Sequence, residues 1–330
     1  VKKLALKSFI VLVLIVLTTI LLVDLDKIGA DNYYSAVVFK HKMLKETDSP
    51  RIVLVGGSNV AMGINSEKIH EHFGLPVINL GTAAGYGLNF MIEMTSKNVK
   101  PNDIIIMIPE YYQFYYYYNG GEALTVLLEV FPQSIKYLSS PKQYINIVKS
   151  YPSYLQLKFN DIVLKLVGKK NGSRFNAPAK YNEYGDYLFH LNLKPKDISN
   201  QYLYDRSKLT DFDQFQAAAI EALNQLDEKV RANGGIAAFI FPPIPEKRYQ
   251  EEKIFIEYVY KRLEKELTMP MFDGPSDQVY PLNYFFDSPY HMNKIGREAR
   301  TKRLIKDLER GLKTIPHWAE IKRLCKDDKN

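Results

Sequence analysis

Arg51-Ile-Val-Leu-Val-Gly-Gly-Ser-Asn59 is a β-branched apolar run that ends in two glycines, a serine and an asparagine. It lacks the polar alternation of a strand with one face in water, so it reads as a strand covered on both sides. Pro76-Val-Ile-Asn-Leu-Gly81, Asp103-Ile-Ile-Ile-Met-Ile108 and Gly235-Ile-Ala-Ala-Phe-Ile-Phe241 repeat the pattern, and Met269-Pro-Met-Phe272 is a weaker fifth. Helical spacing separates the runs: 65–73 behind an Asn65-Ser66 cap, 211–232 ended by Gly234-Gly235, then 246–267 and 293–313. The alternation predicts an α/β fold with a doubly wound, mainly parallel sheet.

Residues 111–205 break that rhythm and read as a partly helical insertion, with helices near 122–138 and 141–168 and a polar loop near 169–186. The apolar residues of 141–168 predict a helix packed against the domain rather than bound to membrane. The insertion opens with Tyr111-Tyr-Gln-Phe-Tyr-Tyr-Tyr-Tyr118, which holds six of the 24 tyrosines of the chain. Such rings either pack inward or offer faces and hydroxyls to a sugar; the sequence leaves both readings open.

At the other end, Leu4–Val23 carries a single charge, Lys7, over twenty residues. That length of helix, at about 1.5 Å per residue, matches the hydrocarbon thickness of a bilayer. Lys2, Lys3 and Lys7 precede the span and Asp24 and Asp26 follow it, so the expectation is a cytoplasmic N-terminus with the body outside. The competing reading is a cleaved signal peptide, for which Ile28-Gly29-Ala30 is the nearest cleavage pattern. The expected organisation is an anchor over 1–25, a juxtamembrane linker over 26–50 and one domain over 51–330.

Of 330 residues, 46% are hydrophobic and 25% charged, which excludes a largely disordered chain. The net charge of +7 is spread along the sequence, which argues against nucleic acid as a partner. A single cysteine, Cys325, allows neither an internal disulfide framework nor a cysteine-built zinc site, and His70/His72 point to different sides of a helix; no metal and no cofactor is expected. Gly81-Thr-Ala-Ala-Gly-Tyr-Gly87 matches neither dinucleotide nor Walker spacing.

Ligands of an open α/β sheet bind beyond the carboxyl ends of the strands. Ser58, Gly81 and Glu110-Tyr111-Tyr112 fall there, and Asp287-Ser-Pro-Tyr-His291 forms a turn before the last long helix, with Asn293 as its cap. Read alone, Ser58 is a turn residue or cap, Asp287 the start of an Asx-turn and His291 a surface histidine.

Taken in order, these stretches resemble the SGNH (GDSL-like) hydrolase superfamily. Val53-Leu-Val-Gly-Gly-Ser-Asn59 is similar to its first block, Asn79-Leu80-Gly81 to its second and Phe286-Asp287-Ser-Pro-Tyr-His291-Met-Asn293 to its last. The resemblance implies a flavodoxin-like three-layer α/β/α domain and a catalytic triad of Ser58, His291 and Asp287. It implies oxyanion donors at Ser58 and Gly81. Asn59, Tyr111 and Tyr112 are the residues expected to meet substrate. Two departures are visible: three residues separate Asp287 from His291 where the family has two, and Pro109-Glu110-Tyr111 stands where its third block supplies an asparagine. An SGNH-like domain on one N-terminal anchor resembles the accessory proteins of polysaccharide O-acetylation and teichoic-acid D-alanylation. That implies an extracytoplasmic O-acyltransferase acting on an exported polysaccharide beside a membrane-bound O-acyltransferase partner. A carbohydrate esterase of the same fold and a non-catalytic polymer-binding protein are the alternatives.

Overall fold

The computed structural model describes residues 2–169, 178–202 and 212–327. Helix α1 (Lys2–Leu25) is long and apolar enough to cross a membrane, and its side chains are almost all exposed. Helix α2 (Ala36–Glu46) precedes strand β1 (Ile52–Gly56), short helix α3 (Ser58–Gly63), α4 (Ser66–Phe73) and β2 (Val77–Asn79). Next come α5 (Leu88–Ser96), β3 (Ile104–Ile108), α6 (Ala123–Val130) and α7 (Pro141–Leu166). The chain returns through α8 (Ala217–Ala232), β4 (Ile236–Phe239), β5 (Ile244–Pro245), α9 (Glu246–Glu251) and α10 (Lys253–Glu266). It finishes with β6 (Val279–Tyr280), α11 (Lys294–Leu312) and α12 (Trp318–Asp327).

The central sheet is parallel in the order β2-β1-β3-β4, with Val53 paired to Ile78 and Ile105, and Ile105 to Ala237. Because side chains alternate along each strand, the sheet feeds two separate cores. Val53, Val55, Ile105, Met107 and Phe239 face α5, α8, α10 and the tyrosine segment, whereas Ile52, Leu54, Ile104, Ile106 and Ala238 face α4, α11 and α12. Helices therefore cover both faces, which is why the strands read as unbroken apolar runs.

The expected fifth strand at 269–272 shrinks to one parallel bridge between Phe239 and Met271. Pro270 has no N–H to give a ladder, but its carbonyl accepts from Phe239 N at 2.9 Å, so pairing starts and stops there. A second parallel pair, β5 with β6, has no counterpart among the expected strands.

The expected linker is the largest correction. Within 26–50, α2 buries Ala36, Val37, Lys40, His41 and Leu44 at helical spacing, so the folded body begins well before residue 51. Buried Arg51 locks α2 to the sheet: its guanidinium pairs with Asp103 at 2.9 Å and 3.1 Å and caps carbonyls of Leu44 and Thr47.

Three helices are shorter than expected. The 246–267 run divides at Glu252, the 122–138 run breaks before Pro132 into a 3-10 turn over Pro132–Tyr137, and α8 starts only at Ala217. Asn65 does not cap α4; the Asp186 carboxylate takes Ser66 N at 2.9 Å instead. Asn293 does cap α11, accepting from Gly296 N at 3.0 Å. Residue 211 of the expected helix, part of the polar loop near 169–186 and the expected insertion end near 205 lie outside the described residues.

Candidate active site

Ser58 stands at the first position of α3, where β1 turns sharply through Gly56-Gly57. Small residues are required there: a Cβ on Gly56 would lie 2.4 Å from Ile108 O, and one on Gly57 2.4 Å from Glu110 Oε1. Being first in the helix, the Ser58 N–H has no intrahelical acceptor.

His291 approaches from the turn before α11, and its Nε2 lies 2.7 Å from Ser58 Oγ. Its Nδ1 lies 2.7 Å from Asp287 Oδ1. A carboxylate only accepts, so Nδ1 carries the proton and Nε2 accepts from the serine hydroxyl. The three residues between Asp287 and His291 do not spoil this geometry. They close a tight turn in which His291 N donates to Ser288 O at 3.3 Å, Tyr290 N to Ser288 Oγ at 3.2 Å and Phe286 N to His291 O at 2.8 Å. Burial pushes the Asp287 carboxyl up, but the hydrogen bond and charge of His291, with Lys196 assisting, outweigh it and hold Asp287 below the usual carboxylate range.

Behind the imidazole sits a second histidine, one without strand-end or turn context in the sequence. His190 is buried, stacks on Tyr187 with ring centroids 5.3 Å apart and places Nε2 2.9 Å from Met292 O, the carbonyl following His291. Burial lowers its pKa to about 4, so it is a neutral donor that fixes the backbone beside His291. No sequence pattern marked it; only the fold brings residue 190 to residue 292.

Glu110 occupies the place at which the family resemblance calls for an asparagine. It is fully buried, accepts from Asn59 N at 3.0 Å and from the Tyr112 hydroxyl, and stands 3.3 Å from Ser58 Oγ. The serine has one proton, and the shorter partner, His291 Nε2, takes it. Glu110 also fixes the start of α3, as does Arg300, which bonds Asn59 O and Asn59 Oδ1.

Two expected substrate contacts are therefore corrected. Asn59 is wholly buried, with Nδ2 given to Ile108 O at 3.1 Å, and Tyr111 packs between Phe241 and Phe255. Tyr112 does line the cleft, together with Tyr116 and Tyr117, while Tyr115 and Tyr118 join the core. The tyrosine run thus splits between both roles. Burial and the neighbouring Glu110 raise the Tyr112 phenol well above its ordinary value, so it remains a neutral donor.

Gly81 is also corrected as an oxyanion donor: its N–H is given to Asn79 Oδ1 at 2.9 Å, and its carbonyl accepts from buried Lys40. The next residues of that turn, Ala83, Ala84 and Gly85, line the cleft instead.

The cleft holds about 1520 Å³, large enough for several sugar units or an acyl chain, and Ser58 and His291 both open into it. Among the described residues, no group of three or more His, Cys, Asp or Glu is placed to hold a metal. No protein-family model matches the chain, and no curated protein matches it.

Proposed function

We propose that the chain is an extracytoplasmic SGNH-like O-acyltransferase held in the membrane by α1, acting on an exported or cell-wall polysaccharide. The observation that carries this reading is the continuous Asp287–His291–Ser58 hydrogen-bond chain, two contacts of 2.7 Å opening on a large cleft. The SGNH assignment draws support from the parallel order β2-β1-β3-β4, with Ser58 at the carboxyl end of β1.

His291 Nε2 removes the Ser58 proton as Oγ attacks an acyl carbonyl, and Asp287 stabilises the imidazolium that forms. The Ser58 N–H and a backbone N–H from the Ala83–Gly85 turn stabilise the oxyanion; losing one such donor costs about 3 kcal/mol of barrier. Collapse of the tetrahedral intermediate releases the leaving group, which takes the proton from His291, and leaves the acyl group on Ser58. A polymer hydroxyl then gives its proton to His291 and attacks the acyl carbon, and collapse expels Ser58 Oγ, which takes that proton back from His291. Water in that position gives hydrolysis.

Ser58→Ala should lower turnover of a simple acyl ester by a factor of at least about 10³ and abolish labelling by a fluorophosphonate. Full retained turnover would remove Ser58 from the chemistry. An acyl donor supplied with a soluble acceptor glycan separates transfer, which yields acylated glycan, from hydrolysis, which yields free acid alone.

A further inference from the structure

Glu110 and Tyr112 form a pair beside the nucleophile that the Asp287–His291–Ser58 chain does not use. Glu110 is fully buried, and its two oxygens serve different ends. Oε1 accepts from Asn59 N at 3.0 Å and stands 3.3 Å from Ser58 Oγ, whereas Oε2 accepts from the Tyr112 hydroxyl. One carboxylate thus links the surroundings of the nucleophile to Tyr112, which lines the cleft together with Ser58 and His291.

The Tyr112 ring is held on two sides. Tyr117 meets it edge-on with centroids 5.1 Å apart, and Tyr290, the residue before His291, does so at 5.4 Å. The turn that carries both members is closed by Glu110 N donating to Gln113 Oε1 and Gln113 N donating to Glu110 O, each at 2.9 Å. Burial and the neighbouring Glu110 keep the phenol protonated. Its single proton is committed to Glu110, and its oxygen accepts from no described residue. What Tyr112 offers the cleft is therefore an acceptor backed by a carboxylate. An acyl carbonyl or an ether oxygen, having lone pairs alone, gains nothing from it, whereas a hydroxyl has a proton to give.

We propose that Tyr112 determines specificity for the acceptor: its oxygen takes a hydrogen bond from a second hydroxyl, adjacent to the one that attacks the acyl group on Ser58. The acceptor class is then a vicinal diol, a pattern that sugar rings carry. This rests on the reading of Ser58 as the acyl-carrying nucleophile. The attacking hydroxyl gives its proton to His291 while its neighbour is held by Tyr112, and Glu110 keeps the phenol turned so that only a donor fits.

The test supplies the full chain with 4-nitrophenyl acetate and one of three small acceptors at equal concentration: 1,2-propanediol, 2-methoxy-1-propanol or 1-propanol. The readout is the ratio of acetylated acceptor to free acetate, which cancels any change in the rate at which Ser58 is acylated. In the wild type the diol should give a ratio at least about tenfold above both others, because the methoxy oxygen cannot donate. Tyr112→Phe should bring the three ratios within about twofold of one another. A methoxy alcohol as good as the diol would show that a donor reads the second oxygen, and would overturn the inference without any variant. A diol preference that survives in Tyr112→Phe would place the reading group elsewhere and also overturn it. Equal transfer to all three, or to none, by protein that a fluorophosphonate still labels at Ser58 overturns the inference and leaves the nucleophile standing. Absence of both labelling and transfer in the wild type removes the proposed function, and the inference with it.

Discussion

His190 shows how a single buried residue ties the backbone beside His291 to the pH dependence of the fold. Neutral in the fold with a pKa of about 4, it titrates near 6.5 once unfolded. Between those values the unfolded chain binds a proton that the folded chain refuses, so stability falls as pH drops through this window. The loss amounts to roughly 3 kcal/mol when the window has been crossed. Asp273 titrates in the opposite sense: burial raises it to about 7, so its contribution is present at low pH and fades as pH rises through that value. The two oppose each other, and the difference between wild type and His190→Gln isolates the histidine. Denaturant unfolding at pH 7 and pH 4.5 should show the variant losing less stability than wild type on acidification. Equal losses would mean that His190 is already charged in the folded protein.

At the scale of the element, the turn after β2 explains why glycine is needed at a position whose N–H is already given to Asn79. A Cβ on Gly81 would lie 2.2 Å from Ala61 N and 2.9 Å from Ala61 Cα. Both are backbone atoms of α3, the helix that carries Ser58. Gly81→Ala must push α3 away, and a stability loss of at least about 2 kcal/mol is expected, with overpacking as the cause. Under the proposed function, turnover of a simple acyl ester should fall as well, because Ser58 moves with α3. A melting curve matching wild type would show that the turn has slack. The Gly-containing motif was legible in the sequence, but its purpose was not. Close approach of two backbones and donation to a ligand demand the same residue, and only the positions of Ala61 and Asn79 distinguish them.

At the scale of the whole molecule, the folded unit extends from the α1–α7 junction through α12. Helix α2 contributes buried Val37 and Leu44, and Asn32 bridges to Pro178 across the insertion. A chain shortened to begin at Lys27 should retain cooperative thermal unfolding. One that begins at Pro50 loses the core face of α2 and the carbonyl partners of Arg51, and should be aggregated or largely unfolded by circular dichroism. A cooperative melt from the shorter chain would return residues 26–50 to the linker that the sequence suggested.

The sequence by itself determined the apolar strands, the serine turn, the order of site segments and the apolar span of α1. Each of these is written locally, in hydrophobic period, glycine placement and charge. The same local logic assigned 26–50 to a linker, although α2 lies there and buries Lys40 and His41. Tertiary structure alone decided the rest. It brought Ser58 within 2.7 Å of a histidine 233 positions away and set Glu110 beside both Ser58 and Asn59. It also turned Tyr111 inward and Tyr112 outward, and laid α7 along α1. The physical reason is that burial and pairing depend on neighbours distant in the chain, and no window of local sequence contains them.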